Sequence, residues 1–389
     1  MRDVAIYAPS AAKLYGRNGG ALGGGGAEVQ TVLLARALTA RGLDVAHVVY
    51  PIPDPVPLEP PAPTLIERRP PSGRSRLHAV RELINIRPAL SEADARIVVV
   101  RGSGGYVVPA AAWCTRRDRA FVFAASNELD FDLSRSDRRR STLRAYGRAV
   151  RRARRLIVQT QRQAELAREA FPNLDPIVIP SFAEPAEQTG AEPEYFLWSD
   201  RLTEYKRPEK YVELAAALPD AHFRMVVLET TETSTELRDR IQAAAESLPN
   251  LELMPRRPRT EALAEMTKAI ALVKTSEVEG MPNTFLEAWA RGVPVLSLSV
   301  DPDDRIAERG AGLLAQDSME RLIEGARRLR EDPELRARLG AGGREFVRAH
   351  HSLDAVADRW AELLTDLLSA TQAGDEVAPA RPSAPGGRP

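Results

Sequence analysis

Apolar positions along the chain follow two alternating rhythms. Short runs rich in β-branched residues predict strands: "VAIYA" (4–8), "DVAHVV" (44–49), "RIVVVR" (96–101), "AFVFAA" (120–125), "LIVQ" (156–159) and "PIVIP" (176–180). Segments with helical spacing lie between them. In "AEVQTVLLARALTARG", Val29, Val32, Leu33 and Leu38 recur on one face, and Gly42 supplies the stop. Apolar strands joined by crossover helices predict a doubly wound parallel sheet. The rhythm breaks at 51–64, "PIPDPVPLEPPAPT", which is too proline-rich for an element and reads as an extended loop.

A second break, "SFAEPAEQTGAEPE" (181–194), reads as a linker by composition. The alternation then restarts with "YFLW" (195–198), "HFRMVVL" (222–228), "LELM" (251–254), "IALVK" (270–274) and "PVLSL" (294–298). Two such sheets in succession predict an α/β protein of two Rossmann-like domains, 1–185 and 186–352, facing a cleft. "MERLIEGARRLRED" and "LDAVADRWAELLTDLLSA" are amphipathic helices near the end of the chain. The segment 353–369 is expected to pack back toward the first domain, and 370–389 reads as a disordered tail.

Composition narrows the function. At 389 residues the chain exceeds one ordinary core of roughly 150 residues. Its 54 Lys and Arg balance 54 Asp and Glu, so no global field points to a nucleic-acid partner. The single cysteine, Cys114, allows no internal disulfide and follows "AAAW", the setting of a buried apolar residue. The five histidines show no metal-ligand spacing. No apolar run reaches about 18 residues, and "MRDVAIYAP" enters a strand directly, which predicts a cytoplasmic protein.

Ligands of open α/β sheets sit at the carboxyl ends of strands, and three such places carry chemistry. After the first strand comes "PSAAKLYGRNGGALGGGGAE", whose four glycines, 23–26, lead into a helix. Glycines allow close backbone approach, and a helix start suits an anion or a sugar hydroxyl. The long gap before them departs from the dinucleotide fingerprint, and a plain flexible loop remains an alternative. After the restart comes "WSDRLTEYKRPEK", which places Arg201 and Lys206 at a strand end ahead of Pro208. The third place, "EVEGMPNTFLEAWARG" (277–292), sets Glu279 in a loop and Glu287 in the next helix. There the backbone N–H groups of Asn283 to Phe285 could receive a diphosphate. A capping box of Thr284 and Glu287, with Gly292 past the helix end, explains Glu287 equally well on spacing alone.

The ordered set of glycine loop, "RLTEYK", and Glu279 and Glu287 within "EGMPNTFLEAWARGVPVLS" resembles the family-four (group 1) retaining glycosyltransferases of GT-B fold. "LIVQTQRQAELA", "VDPDDRIAERGAGLLA" and "DPELRARLGAGGREFVRAHHSLDAVADRW" add to the resemblance, which covers about residues 3–369. It implies that Glu279 contacts hydroxyls of a donor sugar and Glu287 the ribose of its nucleotide. Arg201 and Lys206 would hold the diphosphate and stabilise it as it leaves. Gly280, Met281, Pro282, Asn283, Thr284 and Phe285 would position sugar and phosphate, with Gly24, Gly25 and Gly26 bordering the donor from the first domain.

The resemblance further implies retention of anomeric configuration, with the leaving phosphate itself accepting the acceptor's proton. No metal and no cofactor would be needed besides the nucleotide-diphosphate sugar. The partner would be a glycan, lipid-linked or other hydroxyl acceptor, in the synthesis of cell-surface polysaccharide or glycoconjugate. Many family members carry a histidine after the strand that here reads "FVFAASNELDFD". This chain has Ser126, Asn127 and Glu128 there, which makes Ser126 and Asn127 the candidate contacts to the reactive centre. The departure keeps open a non-catalytic binding or scaffold protein of the same fold. A glycoside hydrolase or phosphorylase using Glu279 and Glu287 as its acid–base pair is a further alternative.

One feature stands outside this set. Residues 135–155, "RSDRRRSTLRAYGRAVRRARR", hold ten arginines and one acid. Leu143, Tyr146, Ala149, Val150 and Ala153 give that helix a core stripe, so its arginines read either as a solvated face or as a peripheral contact with the inner face of a membrane.

Overall fold

The computed structural model describes residues 1–16, 25–52, 54–69, 78–134, 138–186, 190–230, 233–255 and 257–376. The first domain runs β1 (Arg2–Tyr7), α1 (Gly26–Ala40), β2 (Val45–Val49), β3 (Thr64–Glu67), α2 (His78–Ala93), β4 (Ala95–Arg101) and α3 (Val107–Arg117). It continues with β5 (Ala120–Ala124), α4 (Arg140–Val150), β6 (Arg155–Val158), α5 (Gln161–Ala170) and β7 (Pro176–Val178). All of its strand pairs are parallel, in the order β3-β2-β1-β4-β5-β6-β7.

The second domain runs β8 (Tyr195–Arg201), α6 (Pro208–Ala217), β9 (Phe223–Leu228), α7 (Thr235–Glu246), β10 (Leu251–Pro255), α8 (Arg259–Met266) and β11 (Ala269–Lys274). Then come α9 (Asn283–Ala290), β12 (Val295–Ser297), α10 (Arg305–Arg309), β13 (Gly312–Leu314), α11 (Met319–Glu331) and α12 (Pro333–His350). Its sheet is also parallel, ordered β10-β9-β8-β11-β12-β13. All eleven predicted strands are present. The two that the sequence reading missed, β3 and β13, are short edge strands of four and three residues. Too few apolar positions mark either one. β13 opens at Gly312, which pairs with Val295 and where a Cβ would lie 2.1 Å from the Val295 carbonyl oxygen.

Helices cover both faces of each sheet, as buried strands require. Ala5, Val98, Val100 and Phe123 pack under α2 to α5 on one face of the first sheet. On its other face Val4, Ile6, Val45 and Ile97 meet α1 and the closing helix α13 (Leu353–Glu376), through Val356, Trp360 and Leu364. Arg41 fixes that return by pairing with Asp354 and Asp358. The closing helix therefore packs on the first domain. The helix runs on to Glu376, past the expected start of the tail at 370; residues 377–389 lie outside the described residues.

The linker is less exposed than its composition suggests. Ser181, Phe182 and Ala183 are buried. Gln30 of α1 both donates to the Phe182 carbonyl and accepts its N–H, and the Ala183 N–H donates to the His351 carbonyl. Burial depresses His351 to about 4 and raises Cys114 to about 12, which leaves the one buried and neutral and the other an inert thiol.

Candidate active site

In the second sheet, β8 and β11 are neighbours from which the chain departs in opposite directions, and the crevice at their carboxyl ends is where such sheets bind ligands. Four charged side chains meet there. Lys206 contacts Glu279 and lies 3.1 Å from Asp200; Lys274 contacts Asp200 and lies 2.8 Å from Glu279. Ser276 Oγ donates to Glu279 at 2.9 Å. All four are nearly out of solvent, at 5% exposure for the lysines and 12% for the acids. Burial by itself pushes the Asp200 and Glu279 carboxyls up, but the lysines outweigh it and hold both below the usual range. Burial likewise works against Lys206, and its two carboxylate partners raise it above the ordinary value.

The structure thus brings the candidates Glu279 and Lys206 together, and adds Lys274 and Asp200, which the sequence reading missed. Each sits at the end of an apolar strand, "IALVK" and "YFLWSD", and that signal was available. Arg201 is not part of the square. Its Nη2 donates to the Tyr205 hydroxyl at 2.5 Å, and Lys206 Nζ lies 5.2 Å above the same ring. Tyr205 therefore spaces the two cations. Arg207, held at φ +47°, fastens this loop to the next one by donating to the Thr275 and Ser276 carbonyls.

The capping box does not form. Pro282 is the N-cap of α9, without a side-chain cap bond, and Thr284 already lies inside the helix. Glu287 instead contacts Arg259, which also grips Glu184 of the linker. Gly292 does close the helix: at φ +72° its N–H meets the Trp289 carbonyl, and the Val293 N–H meets that of Ala288. The expected amide cradle is reduced as well. The Phe285 N–H is spent on the Pro282 carbonyl, and the Phe285 ring is fully buried against Trp289. That leaves the Asn283 and Thr284 amides at the helix start. Met281 is buried, with its N–H 3.5 Å from Gln159 Oε1.

The first domain closes on this loop. A Cβ on Gly26, the first residue of α1, would lie 2.3 Å from Asn283 Nδ2, so the N-termini of α1 and α9 abut. Gln30 reinforces the contact by donating to Asn283 Oδ1 at 3.2 Å. Gly25 is the N-cap of α1, and Gly24 lies outside the described residues. Gly280 presses on the other side of the cleft: a Cβ there would be 2.4 Å from Gln163 Nε2 and 3.3 Å from Asn127 Cα. A groove lined by Gln30, Glu184, Arg259, Asn283 and Glu287 runs between the domains. A second hollow, lined by Glu194, His222 and Arg336, opens at the amino ends of the second-sheet strands, away from this chemistry.

Ser126 and Asn127 fare differently. The Ser126 hydroxyl and N–H both donate to Asp130 Oδ2, at 3.0 and 2.6 Å, which ties the side chain into its own turn. Asn127 keeps its place beside Gly280, and its Oδ1 is buried without a hydrogen-bond partner among the described residues. Burial raises the neighbouring Glu128 carboxyl; Arg162 opposes this, and the charges of Asp303 and Glu279 add to it.

Comparisons with known proteins agree with this layout. Residues 24–186 match the family model described as Glycosyltransferase Family 4, and residues 182–346 match Glycosyl transferases group 1. A lipopolysaccharide core biosynthesis glycosyltransferase, LpsD of Rhizobium meliloti (strain 1021), is 31% identical over 107 residues, which cover 27% of this chain and 31% of LpsD. The chain's matches span less than half the length of the curated relatives. The sucrose-phosphate synthase of Thermosynechococcus elongatus superposes with a TM-score of 0.79 at 18% identity, covering 94% of this chain and 99% of that one. Anabaena HepE, solved in complex with UDP-glucose, gives 0.69 at 14% identity over 94% and 99%. The fold is the GT-B fold of these enzymes. From residue 24 to residue 346 the two halves of the chain match these two glycosyltransferase models in turn, which supports a group 1 glycosyltransferase.

Proposed function

We propose that this chain transfers a hexosyl unit from a nucleotide-diphosphate sugar to a hydroxyl acceptor, with retention, in the assembly of a cell-surface glycan. The observation that carries the reading is the charge square at the ends of β8 and β11, set where the N-termini of α1 and α9 abut. The two helix starts present N–H groups and positive dipole ends suited to a diphosphate, beside a square in which the two lysines balance two carboxylates. The ionised Glu279 is an acceptor for hydroxyls of the sugar. UDP and UDP-glucose in the HepE structures support a nucleotide sugar as donor.

In this reaction the bond between the anomeric carbon and the β-phosphate oxygen breaks. The acceptor oxygen bonds to the same face, and its proton passes to the departing phosphate oxygen. Lys206 and Arg201 stabilise the charge that develops on that phosphate. Glu287 takes the ribose by sharing its carboxylate between the diol and Arg259. Asn127 and Glu128 stand on the first-domain side of the reacting centre. The hydrolase alternative needs a carboxylic acid that keeps its proton, and the depressed Glu279 does not fit that role. The arginines of α4 are proposed to hold the enzyme at the inner face of a membrane; no helix among the described residues is long and apolar enough to cross one.

A thermal-shift panel of nucleotide sugars, followed by a transfer assay, tests the reading. One nucleotide class should raise Tm. Glu279→Ala and Lys206→Ala should each lose about 100-fold or more in transfer. Full activity in both variants sinks the assigned roles, and an inverted anomeric signal in the NMR spectrum of the product sinks retention.

A further inference from the structure

The charge square joins two strand residues to two loop residues. Asp200 and Lys274 lie within β8 and β11, which pair with each other in the sheet. Lys206 ends a single turn, Glu204–Lys206, and Glu279 stands in the loop between β11 and α9. Residues on strands hold a position more precisely than residues on loops. The strand pair is therefore the frame, and the loop pair is what it holds.

The bonds are shared unevenly among the carboxylate oxygens. Glu279 Oε1 faces three donors: Lys206 Nζ, Lys274 Nζ at 2.8 Å and Ser276 Oγ at 2.9 Å. Asp200 Oδ2 takes the same two lysines, with Lys206 at 3.1 Å, and Asp200 Oδ1 accepts the Arg201 N–H at 2.8 Å. Among the described residues nothing donates to the remaining oxygen, Glu279 Oε2, and the Glu279 side chain keeps 12% of its surface exposed. A carboxylate pinned by three donors on one oxygen cannot swing freely, so the direction of its other oxygen is fixed. Charge neutralisation alone does not require both lysines on one oxygen of Glu279 while the other goes unused.

We infer that Lys274, held by Asp200, is a positioning residue: it pins Glu279 through Oε1 so that Oε2 is presented to a hydroxyl of the donor sugar. Lys274 acts through Glu279 rather than on the donor itself. This rests on the glycosyltransferase reading proposed above, in which Glu279 meets the sugar, and adds the residues that aim it.

The test measures Kd for UDP and for UDP-glucose, or for the matching pair of whichever nucleotide class the thermal-shift panel selects, with the whole chain. Lys274→Met should weaken the nucleotide sugar about tenfold, the worth of one hydrogen bond to a charged group, and change the Kd of the nucleoside diphosphate by less than about threefold. Retained diphosphate binding also shows that the variant is folded. Glu279→Gln should show the same split. Adding Lys274→Met to it should cost less than about threefold more, because both changes act on one contact. The acid limb of kcat/KM gives an independent reading. The charges facing Glu279 are Lys206, Lys274 and Asp200 and, from the first domain, Glu128. Removing one lysine raises the carboxyl, so the limb should move to higher pH in Lys274→Met. If that variant does not fold, the double variant Asp200→Asn, Lys274→Met, which removes both partners of the pair, serves for the binding comparison. Equal weakening of both ligands, full additivity with Glu279→Gln, or an unmoved acid limb overturns the inference while leaving the glycosyltransferase reading standing. Absence of both nucleotide binding and transfer in the unaltered protein overturns the two together.

Discussion

Lys274 shows how much a single residue decides. Removing it leaves Asp200 and Glu279 buried with one lysine between them. Breaking a buried charge pair typically costs about 3–5 kcal/mol, so Lys274→Met should lower the urea-unfolding free energy by about that amount. A loss under about 1 kcal/mol would mean that the square relaxes without it. The pH dependence follows from the shifts. Asp200 and Glu279 are depressed in the folded state, so their contribution is present above the unfolded carboxyl value of about 4 and fades as pH falls below it. Lys206 is raised, so its share is present below about 10.5 and lost in stronger alkali. Thermal unfolding should therefore show a plateau between about pH 7 and 10, a decline below about pH 6.5 as the buried neutral His351 favours the protonated unfolded chain, and a further fall below pH 4 that is shallower in Asp200→Asn.

At the scale of elements, α4 and α12 illustrate opposite uses of a helix face. The predicted stripe of α4 is buried, at Leu143, Tyr146, Ala149 and Val150, while Arg139, Arg140, Arg144 and Arg148 are exposed. Arginines near an anionic surface are worth about 1 kcal/mol each and are screened by salt. The protein should sediment with vesicles rich in anionic lipid at low ionic strength and be released at high salt. Replacing Arg144, Arg148, Arg151 and Arg152 by glutamine should abolish that binding, and no sedimentation at low salt argues for a solvated face. In α12 glycine allows approach: a Cβ on Gly343 would be 2.3 Å from the Trp289 ring, and one on Gly340 would be 2.0 Å from the Gly292 carbonyl. Those contacts let α12 brace α9, the helix that carries Asn283 and Glu287.

The whole molecule works through its seam. Asp303 of the second domain accepts the N–H groups of Gln161 and Arg162 at the start of first-domain helix α5, at 2.9 and 3.1 Å. Together with the Gln30–Asn283 bond and the fit of Gly280 against Asn127, it holds the cleft walls in register. A methyl group on Gly280 would lie 2.4 Å from Gln163 Nε2, 2.7 Å from Gln159 Oε1 and 3.3 Å from Asn127 Cα, so either those two buried amides or the loop that carries Glu279 must shift. Displacement by about 1 Å costs on the order of 100-fold in rate, so Gly280→Ala should lose activity of that order while retaining most of its Tm. Wild-type turnover in that variant would show that the seam opens during catalysis.

The sequence by itself determined the two parallel sheets, because strand and helix periodicities are local and repeat along each domain. It also singled out three loops that follow strands, those of the glycines, of "RLTEYK" and of Glu279, as candidates for the chemistry. The tertiary structure alone decided which charges meet. Asp200 and Lys274 lie 74 positions apart and become neighbours only because β8 and β11 pair. Arg259 reaches Glu287 from another helix, which displaces the capping box that local spacing predicted. Periodicity reports where a side chain stands on its own element, whereas an ion pair depends on two elements at once, and only packing brings those together.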